Sequence, residues 1–460
     1  DQVIDCDGRA ILPAFIDGHS HPSIVAKSAL GPDVTNCRSV AEVVSAVREW
    51  LTLNTNSKWA VGGSYDRSMA SGGRFLAEWL DDVSMDVAIV LHASDQHTIW
   101  ANSEAIRQAG IADLDVLPEG VELGADGKPT GMFYEAAAKN LVLRHVPEHS
   151  MDDLTRSLQT QLKHLSSLGI VATLDAWGDS SSAKLFDRVQ SDVEVRQAVA
   201  VSPEDWQRHL GAQTAKFFVD GVLGAQTALV TQGYVAGHSH GSAFWQQSQL
   251  EEVLSAFDAS GARLHVHAIG DGAVEMVLDA LERIGPTVHP AAIAHAELLL
   301  DQQIQRIVDL GVYVCAQPLW ARVDSLSVGA LANLGPDRSK KLYRHRDLLD
   351  AGGRLSFGSD WPVSSPDPLM GIYTAIYRRE PGSSETLNPE QSITLDEAIR
   401  AYTEVAAQQI GLPRTARLEV GDAADFVFLS GNPFENNGAT LPSMFVTEMI
   451  SGGQTVFARH

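Results

Sequence analysis

The sequence predicts an α/β fold in which a parallel sheet is covered by helices. Two observations carry this reading. Short apolar, β-branched runs alternate with segments of helical period about eight times, and the runs are apolar on both faces, as strands buried on both sides must be. The strand-like runs are "ILPAFID", "VAIVLHA", "GIVATLDA", "VRQAVAV", "AKFFVDG", "ARLHVHAIGD", "AAIAHAE", "GVYVCAQP" and "GRLSFGSD". Helical segments such as "SVAEVVSAVREWL", "QLEEVLSAFDASG" and "GAVEMVLDALERIG" lie between them, with Gly, Asp and Asn at the junctions. A closed (β/α)8 barrel and an open doubly wound sheet both fit. No GxGxxG follows the first strand, which leaves a dinucleotide-binding open sheet with little support.

After about Gly411 the texture changes. "RLEVGDAADFVFLSGNPF" and "MFVTEMISGGQTVFAR" read as short strands with Gly turns and no helix between them, and the opening "QVIDCDGRAILP" has the same character. The expected division is 1–12 and 411–460 as the two parts of a small β-rich subdomain, with 13–410 as the large α/β domain and its insertions. The opening residues hold neither an initiator Met nor a signal peptide, so a fragment or processed chain is expected.

The bulk numbers exclude several classes. With 34 basic against 58 acidic residues the net charge is −24, which disfavours nucleic acid and anionic membrane as partners. No apolar run reaches the roughly 18 residues that span a bilayer. Cys6, Cys37 and Cys315 are scattered and odd in number, with no CxxC, so neither a disulfide framework nor a thiolate metal site is expected and a cytoplasmic location fits.

In a parallel barrel, functional groups collect at the C-terminal ends of the strands. The first strand ends in His19 and His21, one residue apart and therefore on one face of an extended chain. "AKFFVDG" places Lys216 inside a strand beside Asp220; "RLHVHAIGD" ends with His265, His267 and Asp271; "AAIAHAE" ends with His295, and "RLSFGSDWP" with Asp360. Histidines, a carboxylate and a strand Lys converging on one mouth point to a divalent metal, with zinc the expected ion, and the lack of thiolates points to a catalytic site. Each residue has a bland reading as well. A lone strand-end His is more often a hydrogen-bonded rim residue, and a buried Lys is more often salt-bridged, here to Asp220 or Glu135. His265 lies one layer deeper than His267 and reads as support or core. His238 and His240 form a second "HSH" in a Gly/Ser loop and read as loop residues.

With these residues in hand, the chain resembles the amidohydrolase superfamily, within it the YtcJ-like group (amidohydrolase family 3) that includes N-substituted formamide deformylase. The marks are "LPAFIDGHSHP", "DQHTIWANSEAI", "DGKPTGMFYE", "KFFVDGVLGAQTAL", "HAIGDGAVE", "IAHAELL", "CAQPLW", "LLDAGGRLSFGSDWPV" and "LEVGDAADFVFLSGNPF", spread over nearly the whole chain. The resemblance implies a (β/α)8 barrel of TIM type with a small β-sandwich formed from the chain ends. It implies one or two metals, with His19, His21 and Asp360 holding one, His267 and His295 the other, and Lys216 bridging as a carboxylated lysine. Such proteins carry further residues upstream of the first barrel motif, forming half of the sandwich, and the expectation is that either those residues are missing here or the sandwich is incomplete. The usual "HAIGDRA" reads "HAIGDGA", with Gly272 in place of a basic side chain.

The expected activity is metal-dependent hydrolysis of a C–N, amide-type bond of a small molecule. A metal-activated hydroxide attacks the carbonyl, Asp360 serves as general base and acid, and His295 or a second metal polarises the carbonyl oxygen. His97, Asn102, Asp220, Asp271, Gln317 and Trp361 are assigned to substrate binding, with helix capping an equal alternative for Asn102; Trp320 and Phe133 are assigned to apolar pocket walls. A deaminase or cyclic-amide hydrolase on the same scaffold, and a non-catalytic metal-binding barrel, are the alternatives. A homodimer is a possible assembly.

Overall fold

A computed structural model describes the chain except residues 1, 2, 4, 7, 95, 96, 112, 113, 115, 414, 415 and 460 and the side chains of 136, 180, 325 and 326. Part of the opening segment assigned to 1–12 therefore lies outside the described residues. Two compact units emerge: one comprises residues 1–21 and 162–460, the other residues 22–161.

The first unit holds eight parallel strands, numbered here β1 (Phe15–Ser20), β2 (Ile170–Gly178), β3 (Glu194–Val201), β4 (Thr214–Phe218), β5 (Arg263–Ala268), β6 (Ala292–His295), β7 (Tyr313–Ala316) and β8 (Arg354–Phe357). Their order in the sheet follows the chain without reversal, β1 beside β2 through to β8. A doubly wound sheet would reverse at a switch point; this one does not, and its two end strands meet. Gly358 makes the meeting possible, because a Cβ there would lie 2.5 Å from the His19 nitrogen. Backbone hydrogen bonds then cross the seam: Asp360 N–H donates to the His19 carbonyl at 2.7 Å. The buried carboxylate of Asp17 accepts from Ser359 N–H (2.9 Å), Ser359 Oγ (2.5 Å) and His19 N–H (3.1 Å).

Helices cover the sheet as the apolar period requires. In Asp271–Ile284 the buried positions Val274, Val277, Leu278 and Leu281 form one stripe, and Gly285 ends the helix at φ 79°. A separate antiparallel sheet joins the chain ends: Ile11–Pro13 pairs with Phe426–Leu429, followed by Val446–Ser451 and Gln454–Ala458. The last two strands turn at Gly452 and Gly453, both at positive φ (57° and 81°), as a two-residue hairpin turn demands.

The unit of residues 22–161 has its own five-stranded mixed sheet, ordered Trp59–Tyr65, Ala88–Ala93, Thr98–Ala101, Pro129–Tyr134 and Val121–Leu123. Its core includes the aromatic cluster Tyr65, Phe75 and Trp100. The run "VAIVLHA", expected as one of the alternating strands, belongs to this sheet and not to the barrel. Among the described residues no helix is long and apolar enough to cross a membrane.

Candidate metal centre

The C-terminal ends of β1 and β8 bring His19, His21 and Asp360 together. All three are buried, and one ligand atom from each lies within 4.8 Å of the others. His19 Nε2 stands 3.3 Å from Asp360 Oδ1, close to the roughly 3.3 Å separating two ligands of a tetrahedral zinc with bonds of about 2.0–2.1 Å. His21 Nε2 is nearer, at 2.8 Å, a direct hydrogen bond. The His21 backbone is fixed by its N–H to the Trp361 carbonyl (2.8 Å).

Asp360 sits at φ +55° and His295, at the end of β6, at φ +76°. Both are left-handed conformations that side-chain-bearing residues adopt at a cost, and such positions gather at functional sites. The backbone is bent so that these two side chains face the mouth.

Next to this trio lie His267 and His295, their ring centroids 4.6 Å apart; His295 is 4.9 Å from His19. His295 Nδ1 is hydrogen-bonded to Gln317 Oε1 at 2.7 Å, which leaves Nε2 as a lone pair. His267 Nε2 faces the Gly221 carbonyl at 3.2 Å, which directs Nδ1 the other way. Burial, reinforced by neighbouring histidines and Lys216, holds His19 and His295 far below the usual imidazole range, so both are neutral at pH 7 and each carries one lone pair, whose position depends on the tautomer. For Asp360, burial pushes the carboxyl up, but the His21 hydrogen bond and the charges around it outweigh burial and hold it below the usual value. The His19, His21 and Asp360 trio is the only group of three or more His, Cys, Asp or Glu donors that closes among the described residues.

Lys216 enters from β4. Its side chain is fully buried, Nζ has no hydrogen-bond partner among the described residues, and it lies 4.8 Å from the Phe218 ring. Burial brings the amine down to about 7. The salt bridge to Asp220 is not formed, and the Glu135 carboxylate is held by His97 Nδ1 at 3.1 Å.

Several residues assigned to substrate are occupied by the fold. Asp220 accepts three backbone N–H groups, from Leu229 (2.9 Å), Ile269 (3.0 Å) and Gly270 (2.9 Å), which ties the segment after β4 to the end of β5. Burial brings its carboxyl up to about 7. Asp271 is spent in the same way, on the N–H and hydroxyl of Thr231. At Gly272 a Cβ would stand 3.0 Å from Leu229, so the segment after β4 occupies the place of the expected basic side chain. Asn102 takes the capping alternative: its Oδ1 accepts from Ala105 N–H and Ile89 N–H, and its amide donates to Ser84 and Val87 carbonyls. Phe133 is fully buried in the core of residues 22–161. His97, in the same unit, is committed to Glu135.

Gln317 orients His295, and Trp361 contributes its carbonyl to His21 while its ring lies 6.0 Å from that of His164. Trp320 stacks on His295, centroids 5.4 Å apart and planes 3° from parallel. His240 Nδ1 bonds the Val230 carbonyl within its loop. Sequence reasoning did not single out Asp17 or Gln409. The signal for Asp17 was present in "IDGHSH", where an acid two residues before a candidate ligand sits inside an otherwise apolar strand.

The chain belongs to the amidohydrolase family, whose profile matches residues 2–457. It is 27% identical to the putative amidohydrolase YtcJ of Bacillus subtilis (strain 168), covering 100% of this chain and 91% of that protein. It is 26% identical to N-substituted formamide deformylase of Arthrobacter pascens, covering 94% and 86%. Among solved structures, an uncharacterized metal-dependent hydrolase from Pyrococcus horikoshii OT3 superposes with a TM-score of 0.77 at 21% identity, over 95% of this chain and 89% of that one, which shows the shared fold.

Proposed function

We propose that this protein is a metal-dependent hydrolase that cleaves a C–N, amide-type bond of a small molecule. The observation that carries the proposal is the buried His19, His21 and Asp360 group at the C-terminal rim of the barrel. The donor set fits a divalent ion of the zinc type: two imidazoles, of which burial keeps that of His19 neutral at pH 7, an ionised carboxylate and no thiolate. His21 Nδ1 and Lys216 Nζ are buried polar atoms without a hydrogen-bond partner among the described residues, a cost that bound groups would relieve. Family membership and the named relatives support hydrolysis, and the deformylase supports the C–N bond.

His19, His21 and Asp360 would hold one ion. His267 and His295 would serve a second, with Lys216 carboxylated between them. A bound divalent cation supplies Lewis acidity and makes water acidic enough to deprotonate near neutral pH. The residues do the rest. Asp360, ionised and hydrogen-bonded to His21, takes the proton of the attacking water and returns it to the leaving nitrogen. His295, with Nδ1 committed to Gln317, presents a lone pair and so suits a cation better than it suits donation to an oxyanion. Trp320, flat on His295, forms an apolar wall beside the reacting carbonyl. The neutral amine of Lys216 can add carbon dioxide, forming an N–C bond and releasing one proton, which converts it into an oxygen ligand. A mononuclear form of the same hydrolase is the second reading, favoured by the single three-donor group that closes among the described residues.

The test is hydrolysis of a panel of N-formyl and N-acyl amines by the zinc-loaded and the chelator-treated protein. Turnover that disappears with chelation and returns with zinc supports the proposal. Turnover indifferent to chelation, or none with any amide while an amino-substituted heterocycle is deaminated, refutes it.

A further inference from the structure

We propose that Gln409 is a positioning residue for the metal-facing nitrogen of His19, acting through His265; the proposal rests on the metal-dependent reading above. Three buried side chains stand in line beneath the His19, His21 and Asp360 group. His19 Nδ1 lies 2.8 Å from His265 Nε2, and His265 Nδ1 lies 3.3 Å from Gln409 Nε2. Exposure is 1% for His19, 1% for His265 and 4% for Gln409, so no solvent water competes for these bonds. Gln409 arrives from the helix Glu404–Ile410, and its carboxamide enters the barrel floor over Gly18. A Cβ on Gly18 would lie 2.5 Å from Gln409 Oε1, so the glycine that precedes His19 makes the room. The remaining neighbours of the carboxamide are the Gly18 carbonyl (3.4 Å) and Ser356 Oγ (3.5 Å), and Ser356 Oγ donates to the Val314 carbonyl.

A neutral imidazole has one N–H and one lone pair, so the line of bonds has a direction. With Nε2 toward His265, Gln409 donates to His265 Nδ1. His265 then carries its hydrogen on Nε2 and donates to His19 Nδ1, and His19 carries its own on Nε2, aimed at Asp360 3.3 Å away. In that direction His19 offers a cation no lone pair. A half-turn of the carboxamide exchanges its oxygen and nitrogen, gives up the long Nε2–H contact to the Gly18 carbonyl (3.4 Å), and reverses the bonds along the two histidines. Oε1 accepts from His265 Nδ1–H, His265 Nε2 accepts from His19 Nδ1–H, and His19 Nε2 becomes a lone pair directed at the ligand group. The amide nitrogen moves to Ser356 Oγ, which can accept because its hydrogen is already given to Val314. Each ring carries one hydrogen in both directions, so the net charge is the same. Gln409 is the end of the line, and its acceptor oxygen sets the metal-ready direction. A glutamate at 409 can only accept and fixes that direction, whereas a leucine supports neither.

The test titrates the metal-stripped full chain with zinc against a chelator of known affinity, for wild type, Gln409→Leu and Gln409→Glu. Gln409→Leu is expected to bind zinc about 10–100-fold more weakly, the usual loss when a partner of a ligating histidine is removed. Gln409→Glu is expected to bind at least as tightly as wild type. An unchanged affinity in Gln409→Leu, or an equal loss in both variants, overturns the proposal. ¹⁵N spectra of the zinc-loaded wild type read the same point without a substitution: hydrogen on Nδ1 of both His19 and His265 supports it, and hydrogen on His265 Nε2 overturns it. A wild type with no affinity for zinc would overturn the metal reading itself, an outcome distinct from all of these.

Discussion

Replacing Lys216 by methionine removes a buried amine and keeps its length and volume, and the structure predicts that the metal-free protein becomes more stable. Nζ has no hydrogen-bond partner among the described residues, and burial lowers the amine from 10.5 to about 7. In the unfolded chain the amine keeps its proton up to the ordinary value; in the folded chain it releases it near 7. Between those values the unfolded state binds more protons, so folding stability rises with pH there, and below pH 7 the full penalty applies. Integrated from pH 7 to 9, the wild type gains about 2 kcal/mol from this one group. Lys216→Met lacks that gain and is expected to be more stable at pH 7 by about 1–4 kcal/mol, as for other buried charged groups replaced by apolar ones. The assay is urea unfolding of chelator-stripped protein, free of carbon dioxide, at pH 7 and 9 for both proteins. Equal dependence of stability on pH in the two would refute the reasoning, because it would mean that the amine is solvated or paired.

Three further outcomes follow from the same geometry. Asp17→Ala leaves Ser359 N–H and His19 N–H without their buried acceptor at the β1–β8 seam, and denaturant unfolding should show a loss of about 2–4 kcal/mol. Gly358→Ala drives a methyl group to 2.5 Å from the His19 nitrogen, and it should destabilise by about 1–3 kcal/mol and weaken zinc binding, both read on the same samples by thermal melting and chelator competition. Asp360→Asn keeps the size of the side chain and removes the base, so kcat for an N-acyl amine should fall by about 10²–10⁴-fold, in a steady-state assay at saturating zinc.

Most of the barrel was legible because its strands are buried on both faces and so read as short apolar runs closed by polar residues. Eight of the nine runs are barrel strands, and the ninth shows the limit of that signal. "VAIVLHA" is as apolar as the others because it lies in the core of a different sheet, and periodicity records burial without recording which sheet does the burying. The candidate ligands were legible for a related reason: histidine and aspartate at the ends of such runs have no packing role to explain them. Asp220 and Asp271 are aspartates at such ends too, and Asn102 was a candidate beside them, yet their oxygens are spent on backbone N–H groups and, at Asp271, on the Thr231 hydroxyl, and that depends on loops whose paths the sequence does not display. Gln409 was not legible at all. Its role arises only when a helix near the end of the chain meets the first barrel strand over Gly18.

The central claim is that His19, His21 and Asp360 together hold a divalent cation, and metal analysis of the purified protein beside the His19→Ala, His21→Ala, Asp360→Ala triple variant tests it most directly. At least one zinc-type ion per wild-type chain, lost in the triple variant while its circular dichroism stays native, is the predicted result. A variant that folds and retains the wild-type metal content would contradict the account.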